Sequence, residues 1–410
     1  MNCPFNWNQG LWKARPEDDT PQGIDLGIAG DWAPIRAFDP VIETDPAAVY
    51  GNLLPQLKAL DLSLVNLEAP LSDVGEGAVK SGAVFKGNTR HVEGLSAAGF
   101  DAVTLANNHI FDFGKGAFDQ TLETLSQAGI QYTGAGDNLG RAAAPLILEK
   151  EGIKIGILNF SEGEDLTAAT ATRPGVVGWE LSLMEEKIQA LQGRVHCVIV
   201  IAHCGMEYVP FPPQYVGEAF RRMADAGADL VVGHHPHVPQ GVEIHNGVPI
   251  YYSLGNFVFY QPVPQFYRKQ GYWLSCRIGT HGLSQVEVMP YGIGDQGLFP
   301  LEGPELAAFR EDFKTVSQPL WEAQGLEETW KAMRSYYEAR QFRPEVEKLL
   351  ATLDSDPPKG AAMFRNRVTT LQHKQLWQDT MTWIMEGKPK ARDPRLEELI
   401  HQWLTREVDA

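Results

Sequence analysis

The stretch "ADLVVGHHPHVPQ" (residues 228–240) sets the reading of the whole chain. Its first half is a short apolar run rich in β-branched residues, as expected of a strand covered on both faces. It then stops in three histidines within four positions. The residue before a proline is pushed towards extended geometry, so His235 is expected to be extended ahead of Pro236. In extended chain, side chains two apart share a face. His235 and His237 are therefore expected to point one way and His234 the other. A strand that ends in paired imidazoles has the grammar of an α/β sheet whose ligand site lies outside its carboxyl ends.

That grammar repeats along the chain. "IDLGIAGD" (24–31), "LSLVNLE" (62–68), "DAVTLANNH" (101–109), "IKIGILNF" (153–160), "CVIVIAHCG" (197–205) and "VPIYYSLGNFVF" (248–259) are short runs of Val, Ile and Leu. Helical patterns at 115–128, 183–192 and 213–226 lie between several of them, which argues for an α/β core. "YWLSCRIG" and "SQVEVMPYG" read as a late antiparallel hairpin.

After about residue 300 the character changes. Only four of the 40 glycines (Gly303, Gly325, Gly360, Gly387) fall there, and the segment has helical spacing with proline punctuation. The expected organisation is an N-terminal arm (1–23), an α/β domain (24–300) and an all-helical extension (301–410). With no motif of its own, the extension reads as a packing or homo-oligomerisation unit, ahead of a lid over the site.

Bulk properties narrow the function. The chain of 410 residues is 43% hydrophobic and 10% aromatic, which is globular. Its formal net charge is −17, a field that repels nucleic acid and anionic lipid. No apolar run reaches the length of a membrane helix, and the N-terminus has no signal-peptide pattern, so a cytoplasmic location is expected. Cys3, Cys197, Cys204 and Cys276 are widely spaced with no C-x-x-C pair, and are expected to be reduced structural thiols.

The polar residues cluster at strand ends. Asp31 follows "LGIAG", Glu68 follows "SLVNL", Asn107, Asn108 and His109 follow "AVTLA", and His203 follows "VIVIA". Together with the opening histidines they form a metal-site constellation. Mixed imidazole and oxygen donors suit zinc, iron or manganese. They are more donors than one tetrahedral ion takes, which points to two divalent ions with an open position for water.

"GDWAP" (30–34), "NLEAPLS" (66–72), "LANNHIFDFG" (105–114), "AHCGMEY" (202–208), "VGHHPHVPQG" (232–241) and "YSLGNFVF" (252–259) resemble, in order and wording, the motifs of the CapA family. That family is associated with poly-γ-glutamate capsule synthesis and lies in the calcineurin-like metallophosphatase superfamily. The resemblance spans residues 24 to about 291. It implies a sandwich of two mixed β-sheets flanked by helices. It also implies metal ligands at Asp31, Glu68 (bridging), Asn108, His203, His235 and His237, with His109 acting beside the substrate.

Two departures from the general metallophosphatase pattern stand out. Ala33 takes the place of the histidine in D-x-H, and Asn66-Leu67-Glu68 replaces the G-D-x-x-D motif. Cys204 stands where the family commonly has tryptophan and is read as filler.

The expected reaction is metal-assisted hydrolysis of a phosphate ester on a small or polymeric anionic substrate. His109 is expected to give a proton to the leaving oxygen, and Asp112 to orient its ring. Asn107, Glu207, His234 and Asn256 are expected to orient ligands or substrate, and Lys86 and Arg90 to contact the anion. The competing reading is a poly-γ-glutamate biosynthesis accessory that uses the same site on an amide-linked polymer. Loops 72–90, 161–180 and 260–271 would select the substrate.

Overall fold

A computed structural model describes residues 5–14, 23–387 and 393–408. Cys3 lies outside these residues; Cys197, Cys204 and Cys276 are free and buried.

The apolar runs form two mixed sheets. In the first, β1 (Ile24–Ala33), β2 (Leu62–Leu67), β3 (Ala102–Thr104) and β4 (Gln131–Thr133) run parallel in that order. The second is built on β5 (Leu146–Lys150), β6 (Ile153–Ser161), β7 (Cys197–His203), β8 (Leu230–His234), β9 (Val242–His245) and β10 (Val248–Tyr251), in spatial order β9-β10-β8-β7-β6-β5. Short β11 (Asn256–Phe259) returns to the first sheet beside β1. The expected hairpin of β12 (Gln270–Gly279) and β13 (Gly282–Ile293) then pairs antiparallel with β1 on the edge opposite β2.

Alternation along these strands divides the core into layers. Leu26, Ile28 and Leu64 of the first sheet meet Ile155, Ile157, Ile199, Ile201 and Val232 of the second. Residues of opposite parity face outward onto helices. Val65 and Val103 pack under α1 (Gly114–Gln127) with Phe118 and Leu125. Val198, Val200 and Val231 pack under α2 (Leu181–Leu191) and α3 (Gln214–Asp225). Helix–sheet–sheet–helix layering is the expected sandwich, and it explains why the strands read as nearly continuous apolar runs.

The extension is helical, as expected. Helix α4 (Gly303–Ser317) docks Phe309 and Phe313 on Tyr272 of the inter-sheet core. Beyond it come α5 (Gly325–Arg340), α6 (Phe342–Ser355), α7 (Pro357–Thr369), α8 (Leu371–Glu386) and α9 (Arg395–Thr405). These helices share an apolar cluster with the loops that follow the strands. Trp330, Met333, Leu376 and Trp403 join Val209, Phe211, Val238 and Tyr267, and Trp403 stacks on Tyr267 at 3.5 Å. The extension therefore lies across the carboxyl ends of the sheets, as a lid over the site would, and not only as a packing unit. No helix of the described residues is long and apolar enough to cross a membrane.

Candidate metal centre

Each motif brings its polar residue to the same place. Asp31 sits near the end of β1, Glu68 follows β2, the Asn107–His109 turn follows β3, and His203 and His234 end β7 and β8 in register. Two glycines permit the close approach. A Cβ on Gly30 would fall 2.2 Å from the Gly255 carbonyl oxygen, and one on Gly233 would fall 2.0 Å from that of Tyr252. Replacing either would push Asp31 or His234 out of line.

The H-P-H segment does not have the expected backbone. His235 has φ +98° and His237 φ +57°, both in the left-handed region that a bulky residue rarely enters. The chain coils there instead of extending, so all three imidazoles face the centre. His235 Nδ1 lies 3.1 Å from His203 Nε2, and His237 Nδ1 lies 3.3 Å from Asp31 Oδ2. His234, expected to face away, has Nδ1 3.3 Å from Asp31 Oδ1. Proline's preference for an extended neighbour is overridden by the packing of buried polar groups.

Glu68 is at the middle. It is fully buried, its Oε1 lies 3.3 Å from His203 Nε2 and 3.6 Å from His237 Nε2, and among the described residues neither carboxylate oxygen has a hydrogen-bond partner. Burial first, then the charge of Asp31, pushes its pKa well above the ordinary value. For Asp31 burial acts upward too, but the hydrogen bonds and charges of His234 and His237 outweigh it and hold the pKa well below the usual range. Burial and the neighbouring His235 push His203 well below its usual value. A buried carboxylate without a hydrogen-bond partner is costly unless a cation resolves it.

The donor geometry fits such cations. Ligand atoms of Glu68, His203 and His235 lie within 4.8 Å of one another, as do those of Asp31, Glu68 and His237. Glu68 belongs to both sets. Asn108 Oδ1 adds an oxygen 3.0 Å from His203 Nε2. Glu207, expected only in an orienting role, forms a third such set with His235 and His237. Asn256 accepts from His237 Nδ1 at 2.9 Å, which turns the Nε2 of that ring towards Glu68. Asn107 shapes its turn: Oδ1 accepts from the His109 and Ile110 amides, and Nδ2 donates to the Leu67 carbonyl.

His109 and Asp112 are paired as expected, Nδ1 to Oδ2 at 2.6 Å. Lys80, which carries no motif of its own, donates to Asp112 Oδ1 at 2.9 Å and to the Asn108 carbonyl at 2.7 Å. Burial, then the Lys80 charge, lowers the His109 pKa to about 4. The ring is thus neutral near pH 7. With its Nδ1 proton on Asp112, its Nε2 is a proton acceptor rather than the ready donor expected. Lys86 does not line the cavity. Its ammonium stands 4.6 Å from the centre of the Phe113 ring, held by the ring face. Arg90 is likewise absent from the cavity wall and serves a short helical turn capped by Asn88.

A cavity of about 580 Å³ opens over Asn108, His109 and His237. Arg36, Lys80, Arg268 and Arg367 line it together with Glu164, Glu207 and Glu345, so its wall offers cations to an anionic group in an otherwise acidic chain. Arg268 lies over the Tyr208 ring at 3.4 Å, and Arg36 donates to the Tyr260 carbonyl. Glu162 and Glu164, in the expected selecting loop 161–180, reach the centre as well. Gln372, His373 and Arg367 come from the extension. None of these carried a motif; Glu162 and Glu164 could be suspected only from their place in a loop after a strand end, and the residues of the extension had no local signal.

Residues 25–261 match the family model described as "Bacterial capsule synthesis protein PGA_cap". The chain belongs to this family. The match contains every candidate ligand and ends before the helical extension. The chain is 28% identical over 288 residues to the "PGA biosynthesis protein CapA" of Bacillus subtilis (strain 168), covering 69% of this chain and 75% of that protein. It is 28% identical over 253 residues to the "Capsule biosynthesis protein CapA" of Bacillus anthracis, covering 60% and 61%. A "Probable polyglutamine synthesis accessory protein" of Mycobacterium tuberculosis is 32% identical over 224 residues, covering 51% of this chain and 59% of that one. The chain thus spans about three fifths of the length of the latter two relatives. Among solved structures it is similar to a "Putative 5'-Nucleotidase from Staphylococcus aureus" (TM-score 0.44, 11% identity, 72% of this chain and 58% of that chain). It is also similar to a "novel phosphatase" of Mycoplasma pneumoniae (TM-score 0.42, 17% identity, 65% and 93%).

Proposed function

We propose that the protein is a metal-dependent hydrolase that cleaves a phosphate ester of an anionic substrate held in the cavity over His109. The observation that carries this reading is Glu68, a buried carboxylate with no hydrogen-bond partner and imidazoles on two sides. In this reading one divalent ion (Mn, Fe or Zn) takes Asp31, Glu68 and His237, with Glu207 beside them. A second takes Glu68, Asn108, His203 and His235. Bound there, such ions neutralise charge on the attacked group and bring the pKa of water towards about 7.

The chain's own residues supply the rest. Asp112 fixes the His109 tautomer so that Nε2 accepts a proton from the attacking water, and the protonated ring can then return it to the leaving oxygen. Arg36 and Arg268 orient the anionic end, and Phe85 and Phe259 flank His109 and His237 to keep the wall apolar.

The second reading, action on an amide-linked glutamate polymer, is favoured by the names of the relatives, and the same arginines suit carboxylates. One experiment separates the two. Purified protein is assayed for bound manganese, iron and zinc, for hydrolysis of an aryl phosphate, and for cleavage of poly-γ-glutamate across added metals. Metal-dependent phosphate release that disappears in His109→Ala supports the phosphoesterase. Polymer cleavage without phosphate release favours the second reading. Protein that binds no metal and turns over neither substrate sinks both.

A further inference from the structure

The helical extension does more than cover the site. At the junction of α7 and α8, two buried amide side chains reach the metal centre by separate routes. Asn366, fully buried on α7, donates from Nδ2 to Glu164 Oε1 at 2.7 Å. The other oxygen of Glu164 accepts from Asn108 Nδ2 at 3.0 Å, and that bond fixes which way the Asn108 amide faces. Asn108 Oδ1 is thereby aimed at His203 Nε2, 3.0 Å away.

Gln372 opens α8 and is also buried. Its side-chain amide lies 3.2 Å from His235 Nε2, and the opposite ring nitrogen, Nδ1, faces His203. The junction is tied down at two further points. The Gln372 backbone amide donates to Glu162 Oε2, and Lys359 Nζ donates to the carbonyls of Lys80 and Gly82.

We infer that this junction is a working part of the metal centre, in which Asn366 and Gln372 are positioning residues for the ion held by Asn108, His203 and His235. The inference rests on the metal reading above and deepens it. A histidine that ligates through Nδ1 carries its proton on Nε2 and needs an acceptor there. The Gln372 side-chain oxygen provides one after a half turn of the amide, whose two ends are interchangeable in shape. An asparagine ligand needs its NH₂ end held elsewhere so that its oxygen stays on the ion. Glu164 does this, and Asn366 holds Glu164. Both outer partners serve donors of one ion and neither serves Asp31 or His237, so the two positions should respond differently to the extension.

The test is metal titration of the stripped full-length protein, with manganese or zinc as the probe. Wild type is expected to fill two positions. Asn366→Ala and Gln372→Ala are each expected to weaken one of them by 10- to 100-fold and to leave the other unchanged. Unchanged affinity at both positions in both variants overturns the inference while leaving the metal reading intact. Wild type that binds no ion overturns the metal reading, and this inference with it.

Should the alanine variants fail to fold, linkage supplies a second measurement on wild type. If the junction holds the ion, the ion must hold the junction. Amide hydrogen exchange across residues 357–373 is expected to slow at least several-fold on adding metal. Exchange there that ignores metal, in protein shown to bind it, overturns the inference.

Discussion

Glu68 Oε1 lies 3.3 Å from His203 Nε2, and the carboxylate has no hydrogen-bond partner although it is fully buried. This relationship makes opposite demands in the absence and presence of metal. Without an ion, Glu68 and Asp31 repel each other, and the folded state holds the Glu68 pKa well above its ordinary value. A group raised in this way contributes stability below its unfolded pKa and loses it as pH rises through the folded one. Glu68→Gln is therefore expected to stabilise the chelated protein above neutral pH by about 1–3 kcal/mol, while abolishing the further stabilisation that metal gives wild type. Thermal unfolding with and without chelator reads both effects. A variant that is less stable than wild type in chelator and still stabilised by metal would contradict the account.

His109 is neutral near pH 7 because it is buried and Lys80 is close. His109→Ala should lower kcat by about 10²- to 10⁴-fold with metal content unchanged. Lys80→Met removes a cation that lowers the His109 pKa, so the acid limb of the pH–rate profile is expected to move to higher pH. A limb that stays in place, or moves down, would remove Lys80 from this role.

Glu207 shares a donor set with His235 and His237. Glu207→Ala is expected to weaken the ion beside Asp31 and His237 by at least tenfold, measured by titration. Loss of turnover with both ions held at wild-type affinity would assign Glu207 to the substrate instead.

Glu162 has its pKa raised to about 7 by burial, although Tyr215 and the Gly205 and Gln372 amides donate to it. The sign is again that of a raised acid: its contribution is full below about pH 4.5 and fades as pH rises through 7. The span corresponds to about 3 kcal/mol at most. Glu162→Gln keeps an acceptor for Tyr215 but cannot ionise. Denaturant unfolding should show wild type losing more stability than this variant between pH 5 and 8; equal losses would contradict the assignment.

Much of this site was readable because the fold places chemistry at strand ends. Asp31, Glu68, Asn108, His203 and the histidines after β8 each terminate an apolar run, and such runs can be recognised one by one. Two classes of feature were not readable. Local rules failed where tertiary packing overrides them: His235 takes φ +98° ahead of Pro236 because its ring is packed against His203, not because of its neighbours in sequence. Long-range partners gave no local signal at all. Gln372 and His235 are 137 residues apart, and the helical spacing around Gln372 only says that it lies in a helical stretch. The exchange of Lys80 for Lys86 has the same origin. Both stand in a loop without secondary structure, and only the folded path shows which ammonium turns inward to Asp112 and which outward to Phe113.

In the proposed function Glu68 would be shared by two ions. Anomalous diffraction from crystals saturated with manganese or zinc tests it most directly. The account predicts two peaks within coordination distance of the Glu68 carboxylate, one towards Asp31 and His237 and the other towards His203 and His235. Metal-saturated crystals in which no peak lies within coordination distance of Glu68 would contradict it.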